Sequence, residues 1–243
     1  MNNGMTILLT ATINPGNTIM MMRKDPVERM NDYEKALCEW VRVSHVATIV
    51  FCENSGADLT NLKRAVSPDA ASRVEFLSVS GAEAGSAKGK GYCELGTIDL
   101  AIQNSSFIDK SDVIVKCTGR LSLENTIRVI EQIRCSSFDV MCTLRNYLSF
   151  ADSRIFAATK EFYAQYLMPL REIVDDSKEV YFEHALAAAV GGALRDRKRW
   201  RPFPVLPRWQ GISGTHGRSI TESAATYARR ALYHRISLAV YKR

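Results

Sequence analysis

The chain has 243 residues, enough for one large α/β domain or one domain with an appendage, and its 46% hydrophobic and 24% charged residues exclude wholesale disorder. A formal charge of +6 favours anionic partners such as nucleotides, phosphates, membrane surfaces or nucleic acid. The positive charge is concentrated late, with Arg195, Arg197, Lys198, Arg199 and Arg201 nearly contiguous and Arg229, Arg230, Arg235, Lys242 and Arg243 beyond them.

Residues 5–13 form a β-type run closed by the turn Asn14-Pro15-Gly16, with Thr10, Ala11 and Thr12 as its polar end. Residues 25–43 carry Met30, Tyr33, Leu37, Trp40 and Val41 at helical spacing. A second strand at 48–52 ends in Glu53-Asn54-Ser55-Gly56; a helix over 59–65 and a strand over 74–79 follow. Residues 81–94 are a glycine-rich loop with Lys88 and Lys90, matching neither a P-loop nor a GxGxxG fingerprint. After a helix over 95–103, the stretch 112–125 begins as a buried apolar strand and stops at Cys117-Thr118-Gly119-Arg120, with Lys116 and Arg120 as cations beside its end. Helical spacing resumes at Leu123, giving a helix over 125–134, then a strand over 139–144 and a polar segment over 145–156 containing Ala151-Asp152-Ser153-Arg154. A helix over 159–168, an acidic turn at Asp175-Asp176-Ser177 and a long helix over 180–194, with Glu183 and His184 in its first turns, lead to a proline- and aromatic-rich stretch over 200–207. A second glycine loop at 211–217 and a basic amphipathic helix over 223–243 end the chain.

The alternation of strands and helices predicts an α/β fold, a mostly parallel sheet with helices on both faces. The polar strand ends at Thr10–Thr12, Glu53–Gly56 and Thr118–Arg120 then fall on one edge, where open α/β sheets receive anionic ligands. The cysteines at 38, 52, 93, 117, 135 and 142 show no CxxC pair and read as buried free thiols of a reducing cytosol. No stretch approaches the roughly 18 apolar residues of a membrane span, and the start has no signal-peptide pattern, so a cytoplasmic location is expected.

The motifs LLTATINP, DYEKAL, FCENSG, GKGY with the glutamate two residues on, KCTGR followed by LEN, ADSRIF and YFEHALA, spread over residues 5 to about 217, resemble a group of small bacterial glycosyltransferases of O-antigen or capsule assembly, in particular galactofuranosyltransferases. The resemblance implies a GT-A type fold, with residues 1–217 as one Rossmann-like nucleotide-sugar domain and 218–243 as a basic helix that associates with a membrane or a partner. It implies transfer of a sugar from a nucleoside diphosphate, a UDP-sugar above all, to a lipid-linked or growing surface polysaccharide, on the cytoplasmic side of the inner membrane. Thr10, Ala11, Thr12, Glu53, Asn54 and Ser55 would surround the nucleoside, and Lys88, Lys90 and Arg120 would face the diphosphate.

One departure is that Thr118-Gly119-Arg120 stands where most GT-A enzymes carry an Asp-x-Asp metal motif. Either cations alone stabilise the leaving diphosphate and no cofactor is needed, the reading preferred here, or Asp152 with His216 holds Mn2+ or Mg2+. An inverting transfer needs a general base, for which Glu183 is the first candidate and Asp176 the second. Trp200 and Trp209 either line an acceptor groove or pack a loop, with packing the simpler role. The terminal helix suits anionic lipid or docking on its own domain equally well. The alternative function is a non-catalytic protein binding nucleic acid or a complex through its basic end, although no helix-turn-helix, zinc-finger or RNP-like pattern is present.

Overall fold

The computed structural model describes residues 4–16, 22–43, 45–79, 87–214 and 217–240. In chain order these form β1 (Met5–Ala11), α1 (Pro26–Val41), β2 (Thr48–Glu53), α2 (Thr60–Ala65), α3 (Pro68–Ala71), β3 (Val74–Ser78), α4 (Lys90–Asn104), α5 (Ser106–Asp109), β4 (Val113–Thr118), β5 (Leu121–Leu123) and α6 (Thr126–Arg134). Then come β6 (Val140–Met141), β7 (Leu144–Arg145), β8 (Phe150–Ala151), β9 (Ile155–Thr159), α7 (Lys160–Phe162), α8 (Phe182–Arg195), β10 (Trp200–Arg201), β11 (Trp209–Gly211) and α9 (Ala224–Val240).

Seven strands form the main sheet in the order β10-β6-β9-β4-β1-β2-β3. All neighbours are parallel except β9, which runs antiparallel to both β4 and β6. The expected α/β architecture with a mostly parallel sheet is therefore what forms. Strand alternation divides the apolar side chains between two cores. Ile7, Leu9, Ile49, Phe51 and Val115 pack under α1 and α6 with Trp40 and Ile130, while Leu8, Val50 and Ile114 pack under α4 and α8 with Leu95, Phe182 and Leu186. Asp25 caps α1 by accepting from the N–H groups of Val27 and Glu28, ahead of Pro26 in the first turn.

Four elements differ from expectation. Helix α4 begins at Lys90, not in the mid-nineties, because Gly89 (φ +93°) and Gly91 let the helix start press against Asp176: a Cβ on Gly89 would lie 2.5 Å from the Asp176 Cβ. The sequence 155–159, read partly as polar segment, is strand β9, which pairs on both sides and is stabilised by the sheet rather than by its own propensity. The helix expected over 159–168 is only α7, continued by a π turn at Tyr163–Leu167 and a 3-10 turn at Met168–Ile173, where Pro169 lacks the N–H that a regular helix needs. The strand expected over 139–144 shortens to β6, and Leu144 opens the β7–β8 hairpin instead.

Helix α9 docks on its own body: Tyr227 Oη donates to the Leu206 carbonyl at 3.0 Å, and His234 Nε2 lies 2.6 Å from the Phe203 carbonyl. Leu232, Tyr233 and Ile236 stay exposed along it. No helix among the described residues is long and apolar enough to cross a membrane.

Candidate active site

The chain visits β2 and β3 on one side of β1 and then crosses to β4 on the other, so the carboxyl ends of β1 and β4 flank a topological switch point. A cavity of about 600 Å³ opens there. The two ends are joined by the Gly119 N–H, which donates to the Thr10 carbonyl at 2.8 Å. A Cβ on Gly119 would lie 2.7 Å from that oxygen, so the close approach requires glycine.

The floor is a buried polar cluster. Lys116, fully buried on the α4 side of β4, pairs with Glu94 Oε1 at 2.6 Å, donates to the Ser153 carbonyl at 2.7 Å and lies 5.4 Å from the Phe182 ring centre. The hydroxyls of Thr10 and Thr118 donate to the same Glu94 oxygen at 2.8 and 3.2 Å. Burial alone would raise the Glu94 carboxyl, but the Lys116 ammonium and the Thr10 hydroxyl hold it below the usual carboxylate range.

The rim carries the reactive groups. Because β9 is antiparallel, the residues just before it share an edge with the carboxyl ends of the parallel strands, and the Ser153 hydroxyl donates to Glu183 Oε1 at 2.7 Å in the first turn of α8. Lys90, Arg120, Arg154 and Arg218 bring positive charge to the same cavity. Arg120 Nε donates to the Ile212 carbonyl at 3.2 Å, its guanidinium lying against Gly214 in the second glycine loop. Asp176, 3% exposed, accepts from the Gly91 N–H at 3.2 Å through Oδ2, while Oδ1 has no hydrogen-bond partner among the described residues. Burial pushes the Asp176 carboxyl up; Gly91 and Lys90 oppose the shift, and Glu183 adds to it. At the far end, buried Arg29 donates to the Thr12 carbonyl at 2.6 Å and to Tyr33 Oη at 2.9 Å.

Of the residues expected at the site, Thr10, Ala11, Thr12, Lys90, Thr118, Arg120, Asp176 and Glu183 line the cavity, and Gly119 forms its joint. Others lie elsewhere. Glu53 is fully buried behind β1, accepting from the N–H groups of Ile13, Ser55 and Ala57 at 2.9–3.0 Å, and so fixes a loop. Ser55 accepts from the Asn14 N–H, and Asn54 donates to Thr97 Oγ1 at 2.6 Å. Lys88 reaches outward to Glu172 at 2.9 Å and to the Tyr92 ring. Asp152 is clasped by Arg154 and Arg145 at 2.5 and 3.0 Å, which hold its carboxyl below the usual range against the effect of burial. His216 and the start of the first glycine loop lie outside the described residues. Arg29 and Arg218 were not singled out by sequence; Tyr33 was read only as a helix position, and Glu94, Ser153 and Arg154 stood in sequence motifs without a site role.

Among the described residues no group of three His, Cys, Asp or Glu side chains is clustered as metal ligands are. The carboxylates nearest the place of an Asp-x-Asp motif are engaged by cations, Glu94 by Lys116 and Asp152 by two arginines. Trp209 is buried with Arg154 stacked 4.4 Å from its ring centre, and Trp200 Nε1 donates to the Cys142 carbonyl, so both indoles pack the body.

No protein-family model matches the chain, and no curated protein matches it in sequence. Solved structures do resemble it. The galactosyltransferase LgtC in complex with donor and acceptor sugar analogues superposes with a TM-score of 0.50 at 8% identity, covering 75% of this chain and 69% of that one. An active-site mutant of LgtC gives 0.51 at 9% identity with the same coverage. A nucleoside-diphosphate-sugar pyrophosphorylase from Vibrio cholerae RC9 gives 0.50 at 7% identity, covering 81% of this chain and 90% of that one. At these identities the likeness is one of fold alone, a mostly parallel sheet flanked by helices.

Proposed function

We propose that the chain is a glycosyltransferase that moves a sugar from a nucleoside-diphosphate donor, UDP-linked in the preferred reading, to a lipid-linked or growing surface polysaccharide. The observation that carries this reading is one cavity at the switch point lined by five cationic side chains, Arg29, Lys90, Arg120, Arg154 and Arg218, and by a carboxylate on the first turn of α8. Lys90, Arg120, Arg154 and Arg218 stabilise the departing diphosphate where a metal would otherwise act. Glu183, oriented by Ser153, takes the proton from the acceptor hydroxyl as that oxygen attacks the anomeric carbon, giving inversion. Asp176 is the second carboxylate, and its raised value makes it the base that Glu183→Gln has to be tested against. The nucleotide-sugar domain takes in residues 1–217, and residues 218–243, with α9, form an appendage that approaches the inner membrane from the cytoplasm.

The test is thermal melting against nucleoside diphosphates, nucleoside triphosphates and nucleotide sugars, each with EDTA and with manganese. A ligand bound only by the folded state adds about 2.7 kcal/mol at a hundredfold excess over its dissociation constant. Stabilisation by one diphosphate that persists in EDTA is expected; a shift confined to triphosphates would turn the reading towards nucleotidyl transfer. With a donor in hand, Glu183→Gln is expected to lower kcat roughly 10²–10⁴-fold while leaving donor binding intact. An equal loss on Asp176→Asn and none on Glu183→Gln would reassign the base.

A further inference from the structure

A second cleft, of about 400 Å³, lies on the other side of Arg154, between the β7–β8 hairpin and α9. Arg145, Arg154 and Arg230 surround it, with Leu206 and Tyr233 as its apolar wall. Two carboxylates oppose the three guanidiniums. Glu222 pairs with Arg230. Asp152 is saturated: Oδ1 accepts from the Arg154 N–H and Nε at 3.2 and 2.8 Å, and Oδ2 from Arg154 Nη2 and Arg145 Nη2 at 2.5 and 3.0 Å. Nothing remains on Asp152 to neutralise Arg230, and burial together with the charges of Arg145 and Arg154 pushes the Arg230 guanidinium below its ordinary value. Planar guanidiniums crowded beyond their carboxylates are the donor set that recognises phosphate oxygens in pairs.

The apolar part of the cleft lining is Leu206 and Tyr233. Tyr147 and Leu148 are exposed at the tip of the β7–β8 hairpin, where Asn146, Tyr147 and Leu148 all have φ between 48° and 69°, a conformation that non-glycine residues seldom adopt. Tyr233 and Leu232 are exposed on α9.

We propose that this cleft binds a phosphate or diphosphate group attached to an apolar chain, at a site separate from the strand-end cavity. Because Arg154 lines both spaces, an anion held here lies one guanidinium away from the donor cavity. Under the transferase reading the group is the phosphate link of a lipid-borne acceptor; only the word acceptor rests on that reading.

The experiment compares wild type with Arg145→Gln/Arg230→Gln in calorimetric titration with pyrophosphate and in flotation with phosphatidylglycerol vesicles, and follows nucleoside-diphosphate binding in parallel. The double variant is expected to weaken one class of pyrophosphate site about tenfold or more, or to lose vesicle binding, with nucleotide binding unchanged. Loss of the first identifies a discrete phosphate as ligand, and loss of the second alone a lipid headgroup. Wild-type behaviour of the variant in both assays overturns the proposal. If nucleotides fail to bind even the wild type while the variant loses pyrophosphate, the transferase reading falls and the cleft stands. Should the double variant melt lower without ligand, Arg145→Gln alone, whose side chain is 44% exposed, carries the same test with a smaller drop.

Discussion

Asp176 and Asp152 are both buried aspartates at one sheet edge, yet their environments push them in opposite directions. Asp152 is compensated by two arginines, whereas Asp176 has an N–H donor on one oxygen and, among the described residues, none on the other. A carboxyl whose folded value is raised contributes stability in its protonated form, and that contribution is lost as the pH rises through the raised value. Asp176→Asn, which still accepts from Gly91, is therefore expected to melt increasingly above the wild type as the pH climbs from the ordinary aspartate value of about 3.9 towards neutrality. A difference in melting temperature that stays constant over that range would contradict this account.

Among the elements, the junction of β1 and β4 is the most constrained by local geometry. Gly119→Ala would place a Cβ 2.7 Å from the Thr10 carbonyl, backbone against backbone, and should cost about 1–3 kcal/mol in urea unfolding while also opening the cavity floor. This junction was legible in sequence because an apolar run ending in Thr-Gly-Arg announces a strand that stops at a polar edge. The four parallel strands β1 to β4 were legible for the same reason, their β-branched runs being long enough to show. Strand β9 was not, since IFAAT acquires its conformation from neighbours supplied by distant segments. The site divides along the same line. Thr10, Thr118 and Arg120 announce themselves as strand ends, but the role of Lys116 depends on Glu94 of α4, and the start of α4 depends on Asp176, which lies more than 80 residues further on. Glu53 misled because a glutamate that satisfies three backbone N–H groups from within looks, in sequence, like one that faces a ligand.

Across the whole molecule, the sheet separates two apolar cores, each of which contains buried thiols. Cys117 lies in one, Cys52 and Cys142 in the other, and burial pushes all three up to about 12. Cys93 is also buried, whereas Cys38 and Cys135 are exposed, against the expectation that the cysteines are uniformly buried. A thiol reagent should accordingly titrate Cys38 and Cys135 in the native protein and the other four only on unfolding. If the sheet unfolds as one unit, Cys117 and Cys52 become reactive at the same denaturant midpoint; separate midpoints would show that the two faces unfold independently. The register that joins Thr10 to Thr118 also sets a schedule for the nascent chain. At about 5–20 residues per second, β4 emerges roughly 5–20 s after β1, well behind β2. During that interval the β1-β2-β3 half-sheet carries an open edge in place of the cavity, so any ligand of the cavity can assist folding only after β4 has docked, and the ribosome-bound chain must keep that edge from pairing with another molecule in the meantime.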